Sequence, residues 1–261
     1  MRWAARLGLT YHAITDRWDD ELALPPSSFE AQVRRIARAG YRGVTFSSFA
    51  AQPSARGIVA ITFDDGFSSV YEHAAPLLEE LGWPATVFVT TGAVERDEPM
   101  RWLLGAGRPE PRDVSELQPL TWEQVESLAA RGWEIGSHSV SHPLLSALTA
   151  AERREELDAS RNVIAAHVGA CISISYPWGE VNDVVAEAAR HAGYTAGGGL
   201  AGRFHLGDPM RVPRFAVARR DDGLRIALKT SAPVWAARRS PLWTALSRLR
   251  HVRAAGPMAE A

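Results

Sequence analysis

Seven short apolar, β-rich runs recur along the chain, RLGLTY, GIVAITF, ATVFVTT, WEIGSH, CISISYP, YTAGGG and RVPRFAV, and segments of helical period separate them. The runs read as strands and the segments between them as helices, at least six β/α steps in all. Helix starts carry capping boxes, in which a hydroxyl satisfies an orphan amide and a Glu or Gln three residues on reciprocates. Ser27 with Glu30, Ser69 with Glu72, Thr121 with Gln124 and Thr149 with Glu152 fit that spacing. In the first helix Phe29, Val33, Ile36 and Gly40 share one face, the stripe expected of a helix that covers a sheet. This alternation fits an α/β fold, with a parallel sheet closed into a TIM-like barrel of about seven strands, or an open doubly wound sheet.

No internal repeat or low-complexity linker divides the pattern. Its longest break is GAVERDEPMRWLLGAGRPEPRDVSELQP, rich in Pro, Gly and charge, which reads as an excursion beside a substrate groove. After about residue 230 the pattern changes, so that 1–232 reads as a barrel domain and 233–261 as a basic amphipathic extension. Laid on a helix, Leu242, Leu246 and Leu249 form one stripe, flanked by arginines such as Arg239, Arg248 and Arg250. That is the composition of a helix lying on an anionic membrane surface.

Composition changes this picture little. With 261 residues and 46% hydrophobic content the chain can bury a sizeable core, and 29 basic against 30 acidic residues leave no field that would favour nucleic acid. The lone Cys171 excludes an internal disulfide. The N-terminal residues show no signal-peptide pattern and no run is long enough to span a membrane, so the expectation is a cytoplasmic protein, peripheral to the inner membrane face through its C-terminal stretch.

The chemistry begins with Asp64 and Asp65, adjacent carboxylates at the end of an apolar run. Like charges repel, and a divalent ion would remove that repulsion. His138 and His142 follow another such run, four apart. In parallel α/β folds the strand C-termini face the active site. One carboxylate with two histidines is an open N/O ligand set, the mark of a catalytic zinc or similar divalent site. Asp65 is then a ligand and Asp64 a base beside it. Either motif alone reads as a turn or as helix surface; the combination points to a metal.

TFDDGF, HSVSH and YPWG, in that order and at roughly those spacings, resemble the first three motifs of the polysaccharide deacetylases, the NodB-homology or carbohydrate esterase family four proteins. LTYHAI followed by FEAQVRRIARAGYRGVT resembles the subgroup linked to exopolysaccharide modification. The resemblance runs from about residue 7 to 230 and implies a deformed β/α barrel and metal-dependent removal of acetyl groups from N-acetylated sugars. It assigns Asp65, His138 and His142 as metal ligands, zinc before other ions, and Asp64 as catalytic base. It assigns the groove wall to Tyr176, Pro177 and Trp178, with the Trp178 amide on the oxyanion. Two departures stand out. Ser175 occupies the place where many members have an arginine that pairs with the base, and Arg214 or Arg211 could supply that charge. The family's last motif ends in a histidine that protonates the leaving amine, and DDGLRIALKTSAP has none, so His12 first and His205 second are the candidates.

The expected substrate is an N-acetylhexosamine unit in a glycan or a lipid-linked precursor. An O-acetyl esterase, a non-sugar amidohydrolase and a glycan-binding pseudoenzyme are the alternatives that keep this site.

Overall fold

The computed structural model describes residues 6–96, 98–200 and 207–229, together with 231 and 233. Seven strands, β1 (Arg6–Tyr11), β2 (Ile58–Phe63), β3 (Thr86–Val89), β4 (Glu134–Ser137), β5 (Ser173–Ser175), β6 (Ala196–Leu200) and β7 (Val212–Ala216), lie side by side in chain order, every pair parallel. β1 pairs with β2 on one side, Leu9 opposite Ile61, and with β7 on the other, Leu9 opposite Phe215. The sheet therefore closes into a barrel, and the open doubly wound alternative is excluded. Pairing is thin in places, a single register pair joining β4 to β5 at Ser137 and Ile174, so the barrel is deformed. β2 is buried along its whole length, as a parallel strand covered on both faces must be.

The helices around it are α1 (Pro26–Arg38), α2 (Phe46–Ala51), α3 (Ala75–Glu80), α4 (Thr91–Arg96), α5 (Trp122–Ala130), α6 (Ala150–Val168), α7 (Asp183–His191) and α8 (Gly223–Lys229). The boxes Thr121/Gln124 and Thr149/Glu152 form as the spacing predicts. The other two do not. α1 starts with Pro26 at its first position, so Ser27 falls inside the helix and the N-cap residue is Pro25, which has no side-chain acceptor to offer. Ser69 instead accepts the amide of Ile14 at 3.0 Å, tying the start of its helix to the chain after β1. Phe29, Val33 and Ile36 are buried as expected, whereas Gly40 lies beyond the helix end at φ 83°.

The larger apolar cluster fills the space between barrel and helices, and a second one lies inside the barrel. There α2 closes the N-terminal end of the strands. Phe46 and Phe49 join Ile58, Ala60, Phe88, Ala196 and Val212, with the Phe46 and Phe88 rings edge to face at 5.3 Å. The end groups of α2 find partners in the wall: the Phe46 amide donates to Thr86 Oγ1, the Ser47 amide to Glu134 Oε2, and Arg6 donates to the carbonyls of Phe49 and Gln52. With that end plugged, polar chemistry is left to the C-terminal end of the strands. No helix among the described residues is long and apolar enough to cross a membrane. The extension expected over 233–261 lies, apart from its first residue, outside the described residues.

Candidate active site

Two strand ends supply the charged centre. The Asp64 amide donates to Tyr11 O and the His138 amide to Val89 O, both at 2.9 Å, so each residue continues the sheet ladder one step past its strand. Asp65 then turns at φ 67° and Gly66 at φ 83°, a left-handed pair that Asp tolerates and Gly makes easy. A side chain at Gly66 would press on Val89, with a Cβ only 3.1 Å from its methyl. This turn aims the Asp65 carboxylate across the mouth at two imidazoles. Asp65 Oδ1 lies 3.4 Å from His138 Nε2 and 3.6 Å from His142 Nε2, and all three side chains are buried.

His138 Nδ1 sits 2.7 Å from the Ser175 carbonyl, an acceptor only, so Nδ1 carries the hydrogen and the Nε2 lone pair is left for the centre. The backbone between the histidines coils tightly, with Ser139 at φ 65° and His142 at φ 59°, and the His142 amide donates to Ser139 Oγ. His142 Nδ1 is buried without a partner, but the Trp102 and Trp178 rings pack on this imidazole at 4.6 and 5.1 Å. A carboxylate and two Nε2 atoms converging from three sides fit a divalent ion with positions left open.

Beside the trio, Asp64 is gripped by Arg214. Nη1 donates to Oδ1 at 2.7 Å and Nη2 to Oδ2 at 3.0 Å, the bidentate arrangement that favours a carboxylate. Arg214 is wholly buried and rises from β7 through the barrel interior, where Nη1 also donates to Thr62 Oγ1 and Nη2 to Ser175 Oγ, while Nε has no partner. Its path is open because position 198 is glycine: a Cβ there would lie 2.6 Å from Arg214 Nε. Ser175, the departure in the third motif, leaves room for this guanidinium to arrive from the last strand, and its hydroxyl donates to Asp64 Oδ2. Arg211 points elsewhere, pairing with Asp183 and Asp208.

Electrostatics follow from this packing. Burial alone would raise both aspartates, but the charge of Arg214 holds Asp64 below the usual carboxylate range, and the hydrogen bond with His138 does the same for Asp65. Burial lowers His142 to about 4, and the neighbouring His138 adds to it. Burial would lower His138, but its hydrogen bond to Asp65, the charges of Asp64 and Asp65 and the Ser175 carbonyl together move it up. His12 follows β1 at the same mouth; burial lowers its pKa against the pull of Asp65 and Asp64, and its Nδ1 is buried without a partner.

The third motif divides. Trp178, at φ 63°, is 61% exposed beside His142, as a groove wall requires. Tyr176 and Pro177 are buried, the Tyr176 ring lying against Gly197, so the expectation that they touch substrate is corrected: they shape the turn that presents Trp178. His205 lies outside the described residues. Sequence reasoning passed over Trp102, although the excursion that carries it was expected to border the groove. It also passed over Thr62, which no local pattern singles out.

Comparisons with known proteins agree with this geometry. A family model described as polysaccharide deacetylase matches residues 51–197, more than half of the chain. The polysaccharide deacetylase homologue YxkH of Bacillus subtilis (strain 168) is 29% identical over 197 residues, covering 72% of this chain and 62% of its own. The poly-beta-1,6-N-acetyl-D-glucosamine N-deacetylase of Escherichia coli (strain K12) is 23% identical over 256 residues, covering 81% of this chain and 36% of its own. The chain thus spans less than two thirds of either relative. Among solved structures, Streptococcus pyogenes deacetylase PplD in complex with acetate superposes with a TM-score of 0.73 at 22% identity, covering 88% of this chain and 100% of that one. IcaB from Ammonifex degensii gives 0.68 at 23% identity, covering 88% and 99%. Barrel, motif order and family model together place this chain in the polysaccharide deacetylase family.

Proposed function

We propose that the chain is a zinc-dependent N-deacetylase acting on N-acetylhexosamine units of a glycan or glycan precursor. The observation that carries this reading is the convergence of Asp65, His138 and His142 beside a carboxylate held by a buried arginine. The substrate class is supported by the name of the E. coli relative, an N-acetyl-D-glucosamine polymer deacetylase.

Asp65, His138 and His142 would hold the ion, which supplies Lewis acidity toward the acyl carbonyl and lowers the pKa of a water. Asp64 would take the proton of the attacking water. Its Oδ2 already accepts from Arg214 Nη2 and Ser175 Oγ, whereas Oδ1 accepts from Arg214 Nη1 and keeps a lone pair, so Oδ1 is the atom that receives it. The exposed Trp178 offers a stacking face to the sugar, and the family motif would assign its backbone amide to the oxyanion. His12 delivers a proton to the leaving amine. Burial keeps His12 neutral at rest, so it must acquire that proton during turnover.

The test is acetate release from N-acetylglucosamine oligomers, β-1,4- and β-1,6-linked, by chelated and zinc-restored protein. Activity that survives complete chelation would overturn the metal reading; metal binding with no turnover of any N-acetylated sugar would overturn the substrate reading. Asp64→Asn is expected to keep its zinc and lose ~10²–10⁴-fold in kcat, the usual scale for losing a general base. Near-normal turnover of the metal-replete variant would remove Asp64 from that role.

A further inference from the structure

The loop between the two histidines is fastened on its carbonyl side by the α4 amides of Thr91 and Gly92, which donate to the carbonyls of Ser139 and Val140, and on its amide side by one side chain from outside the site. Glu156, half-buried on α6, accepts the Val140 amide at 2.8 Å and the Ser141 amide at 3.0 Å on Oε2, and the Ser141 hydroxyl at 2.6 Å on Oε1. We propose that Glu156 is a positioning residue for the metal centre, which fixes the Ser139–Ser141 backbone and so sets the affinity of the site for a divalent ion. This rests on the metal reading given above.

The loop has reason to need such a hold. Two of its residues, Ser139 and His142, have left-handed backbone that side-chain-bearing residues rarely adopt, and such conformations persist only where surrounding contacts over-determine them. Glu156 satisfies two successive amides that the tight coil turns away from any strand or helix. Its helix is a firm base: the capping box at Thr149 and Glu152 fixes its start, and the buried Arg153, one turn before Glu156, donates to the carbonyls of Leu145 and Leu148. α6 therefore holds the chain on both sides of His142.

The two histidines depend on this hold unequally. His138 has its own anchors, an amide bond to Val89 and an Nδ1 bond to the Ser175 carbonyl. His142 lacks a partner at Nδ1, so its direction is set by its backbone and by the rings packed on it. Freeing the loop would let His142 wander while His138 stayed in place. The ion would then have to order a ligand that the native fold supplies already ordered.

The experiment titrates zinc into the apo full chain against a chromophoric chelator, for wild type, Glu156→Gln and Glu156→Ala, with thermal unfolding of each apo protein recorded alongside. Alanine removes all three bonds, so Glu156→Ala is expected to bind zinc ~10–100-fold more weakly, the scale on which supports of metal ligands act, whereas Glu156→Gln, whose carbonyl oxygen can take both backbone amides and whose NH2 can donate to Ser141 Oγ, is expected to restore most of the affinity. Most of the wild-type kcat should return at saturating zinc. A zinc Kd of Glu156→Ala equal to that of wild type, whatever the change in unfolding temperature, overturns the proposal and leaves Glu156 as fold support only. Should the Glu156 variants fail to fold, Ser141→Ala removes the shortest of the three bonds from the loop side; unchanged zinc affinity in that variant overturns it equally. Absence of zinc binding by wild type would instead defeat the metal reading on which the proposal rests.

Discussion

Asp64 illustrates how one residue's chemistry is decided by its partner. Buried alone, its carboxyl would be raised; the Arg214 guanidinium lowers it below its ordinary value of 3.8. A base works ionised, so activity is lost as pH falls through its pKa, and a lowered pKa keeps Asp64 competent into the acid range. The same shift makes the pair's contribution to stability complete above the ordinary aspartate value and lost as pH falls through the lower folded one. Arg214→Met is therefore expected to move the acid limb of kcat/KM upward and, by stranding a buried charge, to cost about 3–5 kcal/mol of stability. A pH–rate profile and urea unfolding check both; an unmoved acid limb would show that Asp64 is not the titrating base. His12 is tested by leaving group rather than by pH. His12→Ala is expected to lose ~10²-fold or more of N-acetyl hydrolysis, while aryl acetate hydrolysis, whose phenolate leaves unaided, stays near wild type. Equal loss on both substrates would exclude His12 as the donor.

Among the elements, β6 is instructive because its sequence, AGGGL, has little strand propensity. The structure supplies the reason: Gly198 meets the Arg214 side chain inside the barrel and Gly197 meets the Tyr176 ring on the opposite face of the strand, so the strand gives up its own side chains to make room for two others. Gly198→Ala is expected to displace the guanidinium from Asp64 and reproduce the acid-limb shift of Arg214→Met, with zinc affinity unchanged because none of the metal ligands touches Gly198. A profile identical to wild type would mean that the barrel yields at this point. The capping boxes teach a related lesson. Thr121/Gln124 and Thr149/Glu152 form because both partners are local, whereas Ser69 was drawn off by a backbone amide from another segment, 55 positions away.

For the whole molecule, closure of the sheet brings the ends of β1, β2, β4, β5 and β7 to one mouth, and α2 blocks the other end. Residues 233–261 remain a prediction from composition. Their arginines and leucines are expected to confer salt-sensitive binding to anionic vesicles, measured by sedimentation of the full chain against one ending at residue 232. Equal, negligible binding by both would dismiss a membrane role for this stretch. Much of the active site was legible beforehand. Asp64, Asp65 and His138 each directly follow an apolar run, and in a parallel α/β fold a strand's end is a place in space as well as in the chain. His142 follows at helical spacing from His138. The pattern therefore indicated the α/β alternation and singled out Asp64, Asp65, His138 and His142, whereas the pairing of β1 with both β2 and β7 decided that the sheet closes. It left open which arginine serves Asp64, since Arg211 and Arg214 look alike in sequence; it missed the hold of Glu156 on the histidine loop, and it misplaced Tyr176 in the groove. Arg214 and Asp64 are 150 positions apart. They meet because β2 and β7 both flank β1, with glycine at position 198 and serine at 175 clearing the way. Strand order and register set such meetings, and these are settled by the packing of the entire barrel, which no local periodicity records.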